Sequence, residues 1–487
     1  MRKARTRGER GSPVSRQTST PPAGGGARRM RDFTTGSIPG HILWFSLPMF
    51  LGNLLQALYN MVDSFWVGRF IGAEALGAVS VSFPIIFALV SLVLGLTMAS
   101  TTMVAQYRGA GDHHMVRKTV ANSHLVIALA GIVSTLLGLA LSERILRLMQ
   151  TPEEIFDQAV VYLNIFLTGL VPSFLYNVAS SILRGLGDSQ TGLRYLAYAT
   201  IFNIAADPLF IFGFGPIPPL GIRGAAIATV LAQVLSAVLI IRYLARHTDL
   251  LSFDPKLWKL DFKLCRTMFR MGIPAGLQSV VVSFAMIVLT SIINTFGPTT
   301  VAAFGVASRM DQFAFMPAQS ISLAVTALVG QNLGANRLDR VREIVRWSMQ
   351  LAFGITAVVT LVAFLYPTLL IRIFTTDPAV LREGVGYLRI VGLSYVPLAL
   401  MFTVSGVMRG AGDTTPSMVI SLLTLWLVRL PLAYFLAYRL GWGVNGAWAS
   451  ITVSAALGFL CNYGYYLTGR WKEKVIVSRP PEPAAQP

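Results

Sequence analysis

Two carboxylates, Asp63 and Asp207, sit inside long apolar stretches, and each follows a polar residue at a distance of four. Tyr59 precedes Asp63 in Tyr59-Asn60-Met61-Val62-Asp63, and Asn203 precedes Asp207 in Asn203-Ile204-Ala205-Ala206-Asp207-Pro208. That spacing puts both members of a pair on one face of a helix. Ionisable groups are costly in an apolar phase and mark pairing or function where they persist. Two chemistries are open to these. Neighbouring carboxylates in an apolar setting can hold and release a shared proton. Alternatively, the oxygens of Asp63, Asn203, Asp207 and Thr229 can coordinate Na⁺ directly, and the residues alone do not separate the two.

The second half of the chain carries other charges in or near its apolar runs: Arg309, Asp311, Arg389 and Arg429. Arg309 and Asp311 are expected to pair at a helix end, and Arg389 to snorkel toward water. Arg429 lies well inside an apolar run and is a candidate for contacting a substrate or an acid; Tyr162 is a candidate for contacting a substrate. A third chemistry is suggested by Gly185-Leu186-Gly187-Asp188, the G-x-G-D pattern of intramembrane aspartyl proteases. That reaction needs two close carboxylates sharing a proton. The pattern recurs at Gly109-Ala110-Gly111-Asp112 and Gly410-Ala411-Gly412-Asp413, each time just after an apolar run. Gly and Asp are ordinary turn and cap residues there. Proteolysis is therefore a remote alternative, and no enzyme activity is expected.

The elements that position these residues come in two copies. Thr151, Tyr162, Leu163, Ile165 and Pro172 return as Thr376, Tyr387, Leu388, Ile390 and Pro397. Gln106 and Gly109 return as Gln331 and Gly334, and Arg184-Gly185 as Arg409-Gly410. Every pair is 225 residues apart (376 − 151, 331 − 106, 409 − 184). Adding 225 to Asp63 and Asp207 gives Val288 and Leu432, so the second copy lacks the acid pair. Each copy reads as six apolar spans, roughly 41–67, 76–100, 119–141, 156–181, 193–214 and 223–245, then 266–295, 300–326, 344–366, 383–407, 416–439 and 444–468. An even number of spans leaves both copies the same way up, as a parallel repeat about an axis along the membrane normal. The expected fold is an all-α integral membrane protein, with twelve transmembrane helices in two six-helix lobes around a central cavity. Such paired halves suit a carrier that alternates its access. Prolines at 48, 84, 172, 208, 274, 317, 397 and 431 lie within spans, where they can bend a helix and free a carbonyl.

Composition agrees with a membrane chain. Hydrophobic residues make up 54% and charged residues 13% of 487, and mean hydropathy is +0.61. The net charge of +18 is concentrated in the tail from Arg2 to Arg31 and in the segments Arg242–Arg266, Arg337–Arg346 and Arg470–Arg479. The alternate loops are poorer in Lys and Arg, which is the positive-inside pattern with both termini in the cytoplasm. The basic segments lack the interleaved aromatics of nucleic-acid binding, so the expected partners are the lipid bilayer and small organic molecules. Cys265 and Cys461 fit no metal or redox spacing and read as free thiols.

These features divide the chain into a disordered basic tail over 1–32, an N-lobe over 33–246, a cytoplasmic linker over 247–265, a C-lobe over 266–469 and a cytoplasmic tail over 470–487. On that topology, helical rise of about 1.5 Å per residue puts Asp63 about 30 Å and Asp207 about 21 Å along spans that start inside. Thr229 lies about 9 Å along a span that starts outside. All three then share the outer half of the bilayer.

The stretches LPMFLGNLLQALYNMVDSFWVG (47–68), AQYRGAGD (105–112), ILRGLGD (182–188), FNIAADPLFIFG (202–213) and GIRGAAIATV (221–230) resemble the MATE family, for multidrug and toxic compound extrusion. The resemblance spans about residues 41–468. It implies efflux of amphipathic, mostly cationic compounds, driven by H⁺ or Na⁺ moving inward, with no cofactor. The acids resemble those of the DinF-like branch, whose cation site lies in the N-terminal lobe. Asp63, Asn203, Asp207 and Thr229 match that site, with Tyr59 nearby. NorM-like members use acids in the C-terminal lobe that spans seven and ten lack here. The alternative is a flippase for a lipid-linked or lipid-like substrate. A monomer in a bacterial plasma membrane is expected.

Overall fold

The apolar runs fold as helices throughout the computed structural model, which describes residues 30–216, 218–247 and 257–477. The expected tail over 1–32 lies outside the described residues up to 29, the linker over 247–265 between 248 and 256, and the tail over 470–487 beyond 477. The N-lobe comprises α1 (Ile38–Trp66), α2 (Ala73–Gly109), α3 (His113–Leu148), α4 (Glu153–Thr168), α5 (Leu170–Gly185), α6 (Gln190–Phe212) and α7 (Ile222–His247). In the C-lobe follow α8 (Phe262–Asn294), α9 (Pro298–Gly334), α10 (Leu338–Leu365), the short α11 (Pro367–Arg372), α12 (Pro378–Val391), α13 (Tyr395–Ala411), α14 (Thr415–Leu422), α15 (Leu430–Tyr434) and α16 (Val444–Thr468). Among the described residues, eleven helices are long and apolar enough to cross a membrane, or twelve when α4 and α5 count as one bent span. The protein is an all-helical membrane protein.

Large apolar side chains such as Leu137, Val358 and Leu460 stand exposed on α3, α10 and α16. In a bilayer that surface meets acyl chains instead of water. Polar residues concentrate inside or at the loops. Asp112 accepts the amide of Met115 at the start of α3, and Asp188 accepts those of Gln190 and Thr191 at the start of α6. Two of the G-x-G-D aspartates are thus helix caps. The third, Asp413, accepts the Tyr465 hydroxyl at 2.6 Å.

The fourth span of each lobe is broken, in different ways. In the N-lobe, α4 and α5 meet at Gly169 with a bend of 45°. A 3₁₀ turn over Gly392–Ser394 joins α12 to α13 in the C-lobe. Pro172 and Pro397 occupy the first turns of α5 and α13, where a missing N–H removes no intrahelical bond. Pro48, Pro84, Pro208, Pro274 and Pro317 lie inside continuous helices.

The lobes exchange edges. Phe33, Ile42 and Phe45, at the start of the N-lobe, are buried against α9 and α10. Conversely α8 packs on α2, so closely that a Cβ on Gly95 would sit 2.2 Å from the Gly272 carbonyl oxygen. Near the linker, Lys118 of α3 reaches Asp261, the cap of α8, at 2.6 Å. That ammonium, helped by the amides of Lys263 and Leu264, holds the Asp261 carboxyl below the usual carboxylate range.

Candidate functional site

Helices α1 and α6 pack together in the N-lobe, with α7 beside α6 and α4 against α7. This arrangement gathers every N-lobe residue singled out by the sequence. Asp207 is fully buried, and Asn203 donates to its Oδ1 at 3.1 Å. Tyr59 lies within electrostatic reach of Asp63, Asp207 and Thr229, and Tyr162 within reach of Asp63, Asp207 and Tyr59. Four helices therefore contribute to one polar cluster.

The cluster is short of donors. Asp63 Oδ1, Asn203 Oδ1 and Asp207 Oδ2 are buried without a hydrogen-bond partner. Orphaned buried acceptors are uncommon and cost about 1–3 kcal/mol each. A proton would convert one carboxylate oxygen from acceptor to donor, whereas Na⁺ would attract several oxygens together. The described residues contain no group of three His, Cys, Asp or Glu side chains able to hold a metal. A sodium ion would therefore need amide, hydroxyl or phenol oxygens beside the two carboxylates.

The C-lobe departs from expectation. Asp311 neither pairs with Arg309 nor marks a helix end: it lies within α9 and accepts the hydroxyls of Tyr387 at 2.5 Å and Tyr395 at 2.6 Å. Residues two apart on a helix point in different directions, and Arg309 is exposed while Asp311 turns inward. Burial of acids is therefore not confined to the N-lobe. Arg389 is exposed. Arg429 is buried within the C-lobe, where its Nε donates to Ser454 Oγ at 2.7 Å, and it stands apart from the cavity described next.

A cavity of about 580 Å³ runs from Asp63, Tyr59 and Tyr162 to Ser180, Arg184 and Ser189. Its wall is N-lobe except for Leu323, so the cavity is far less central than the two-lobe symmetry implies. Beyond Arg184 the two lobes cross. Gln106 of α2 donates to the Gly410 carbonyl, and Gln331 of α9 donates to the Gly185 carbonyl, both at 2.8 Å. Donor and acceptor positions are each related by the 225-residue offset. The free oxygens of these glutamines accept backbone amides from the two ends of the described chain: Phe33 on Gln331 at 3.1 Å and Ile476 on Gln106 at 2.8 Å. Gly109 and Gly334 permit the crossing, since a Cβ on either would sit 1.9 Å from the opposite glutamine's carbonyl oxygen. The repeat exposed these residues in sequence, but nothing there indicated that they bond across the lobes.

A family model described as MatE matches residues 48–209 and again residues 274–435, one window in each lobe. This chain belongs to the MATE family. Its relatives include the "Probable multidrug resistance protein YpnP" of Bacillus subtilis, 33% identical over 91% of this chain and 97% of the relative. The "Probable multidrug resistance protein NorM" of Thermotoga maritima is 28% identical over 90% of this chain and 94% of its own length. A crystal structure of a MATE protein in the bent conformation superposes with a TM-score of 0.85 at 24% identity, covering 91% of this chain and 98% of that one. MATE proteins are transporters, not enzymes, and in this one two of the G-x-G-D aspartates cap helices while the third accepts a tyrosine hydroxyl.

Proposed function

We propose that this MATE protein is a secondary active antiporter of the DinF-like kind, exporting amphipathic compounds in exchange for inward H⁺ or Na⁺. The observation that carries this reading is the set of orphaned oxygens on Asp63, Asn203 and Asp207 beside a cavity wide enough for a small organic molecule. The multidrug names of its relatives support the substrate range. The distribution of Lys and Arg supports cytoplasmic termini, which makes the α2/α9 crossing the cytoplasmic seal and the acid cluster the outer end. The chain works as a monomer on this reading.

An entering cation neutralises Asp63 and Asp207 and removes their attraction for a cationic substrate group. Bound ion and bound substrate then weaken each other by the same factor. The bend at Gly169, and the proline inside α6 at position 208, give the N-lobe somewhere to yield as its charge changes. The test is efflux of an amphipathic aromatic cation from proteoliposomes under an imposed pH gradient and, separately, an imposed Na⁺ gradient. One gradient should drive uphill transport in the wild type and fail with Asp63→Asn or Asp207→Asn. Equal uphill transport by both variants would remove the pair from the coupling mechanism.

A further inference from the structure

Arg184 lines the inner end of the cavity, next to Gly185 of the inter-lobe crossing. Its Nη1 donates to Ser180 Oγ at 2.9 Å on the same helix, and Tyr176 is the ionisable group within its electrostatic reach. Among the described residues no carboxylate lies within 4.0 Å of it. The ion pairs within 4.0 Å among those residues are Lys118–Asp261 and Arg337–Asp339, both near helix starts. The repeat partner Arg409 is held differently: its Nη2 crosses to Ser322 Oγ of α9 at 2.6 Å, and it does not line the cavity. The position that would tether Arg184 in the same manner is Thr97 (322 − 225), whose hydroxyl instead bonds the Leu94 carbonyl. Each arginine holds one serine hydroxyl, but Arg409 reaches across to a neighbouring helix while Arg184 stays on its own and borders the cavity.

A guanidinium inside a membrane bundle needs an anion, and its fork suits a carboxylate or a phosphate. On the wall of the same cavity Asp63 presents an unpartnered oxygen. We propose that Arg184 is an anion subsite, so that the transported compounds include zwitterionic and anionic amphiphiles bearing a carboxylate or phosphate, and are not limited to cations. This inference rests on the transporter reading above and deepens it by naming a substrate class. Asp63 takes the cationic end and Arg184 the anionic end.

The test is equilibrium binding to the full-length protein in phosphatidylcholine nanodiscs, using fluorescent 7-diethylaminocoumarin-3-carboxylate and its neutral methyl ester. Arg184→Gln should weaken carboxylate binding about 10- to 100-fold, the range expected for a charged hydrogen bond lost from a buried site. The ester should bind both proteins alike, and Arg184→Lys should recover part of the carboxylate affinity. Adding phosphatidylglycerol separates two sources of anion: competition with the carboxylate assigns the subsite to a lipid phosphate, and no competition assigns it to a soluble anion. Equal carboxylate binding by wild type and Arg184→Gln would overturn the proposal, as would an equal loss for the ester. Because binding is read without any gradient, a failure of ion-driven efflux would leave this result standing. Wild-type protein that binds neither probe yet pumps an aromatic cation would overturn the anion subsite and spare the transporter reading.

Discussion

Tyr162 in the N-lobe and Tyr387 in the C-lobe are the same residue of the repeat, yet they meet carboxylates delivered by different helices. Tyr162 lies within electrostatic reach of Asp63 from α1 and Asp207 from α6, whose oxygens are left partly without donors. Tyr387 donates to Asp311 from α9, and Tyr395, on the far side of the 3₁₀ turn, fills that carboxylate's other oxygen. The repeat position of Asp311 in the N-lobe is Ile86 (311 − 225), so the N-lobe has no such staple. Two phenols clamp the broken span of the C-lobe to α9. The broken span of the N-lobe bends by 45° with no carboxylate fastening its two halves. The C-lobe acid is satisfied by two phenols, while the N-lobe pair keeps the orphaned oxygens on which the proposed coupling rests.

The largest effect expected from this contrast is on coupling. On the proposed coupling, Asp63→Asn and Asp207→Asn should each abolish ion-driven transport, and the double variant should be no worse than either, as for two members of one site. Additive, partial losses would break the comparison at its root. Next comes the crossing, where the lobes should behave alike. Gly109→Ala and Gly334→Ala each place a Cβ 1.9 Å from a carbonyl oxygen and must push the lobes apart at that end. In a Cys265→Ala, Cys461→Ala background, the buried Ala105→Cys should turn from unreactive to reactive toward a water-soluble maleimide in both variants. Reactivity in only one would show that the two halves of the seal are unequal.

A smaller effect is expected from Asp311→Asn. It weakens two phenol bonds and should lower stability by about 1–3 kcal/mol, read as a fall in melting temperature. The pH or Na⁺ dependence of substrate affinity should survive. Loss of that dependence would make the C-lobe acid part of the coupling and erase the distinction between lobes. The smallest effect lies at the Lys118–Asp261 contact joining the lobes, which is partly solvated. The folded Asp261 carboxyl is held below its unfolded value of about 3.9. Its contribution is therefore fully present above that pH and is lost as pH falls through the lower folded value. The melting temperatures of wild type and Asp261→Asn should differ slightly at pH 7 and converge in strong acid.

Much of this was legible in the residues. The constant offset and the apolar run lengths specify the spans, because a helix must match the bilayer and tolerates few insertions. Asp63, Asn203, Asp207 and Thr229 stood out because polar groups are conspicuous in an apolar run. Asp311 is hard to read for the converse reason. It follows Arg309 closely in sequence, whereas its real partners lie 76 and 84 residues away, and a distant phenol leaves no local mark. Arg184 was hidden in a motif that reads as a loop. Only the fold shows that it borders a cavity while Arg409 does not. The cavity's displacement into the N-lobe was equally invisible, since a repeat predicts symmetry and the departures lie in side chains.

Ile476 is made 370 residues after Gln106. At ribosomal rates of about 5–20 residues per second, the interval is on the order of 20 to 70 s. During that time the first lobe sits in the bilayer with its glutamine reaching for a carbonyl and an amide that do not yet exist. A single lobe cannot make the crossing, so translation stalled at the linker leaves six helices and no gate. The crossing is complete only once Ile476 has been made and has docked on Gln106, so the two halves of the chain close this contact together or not at all.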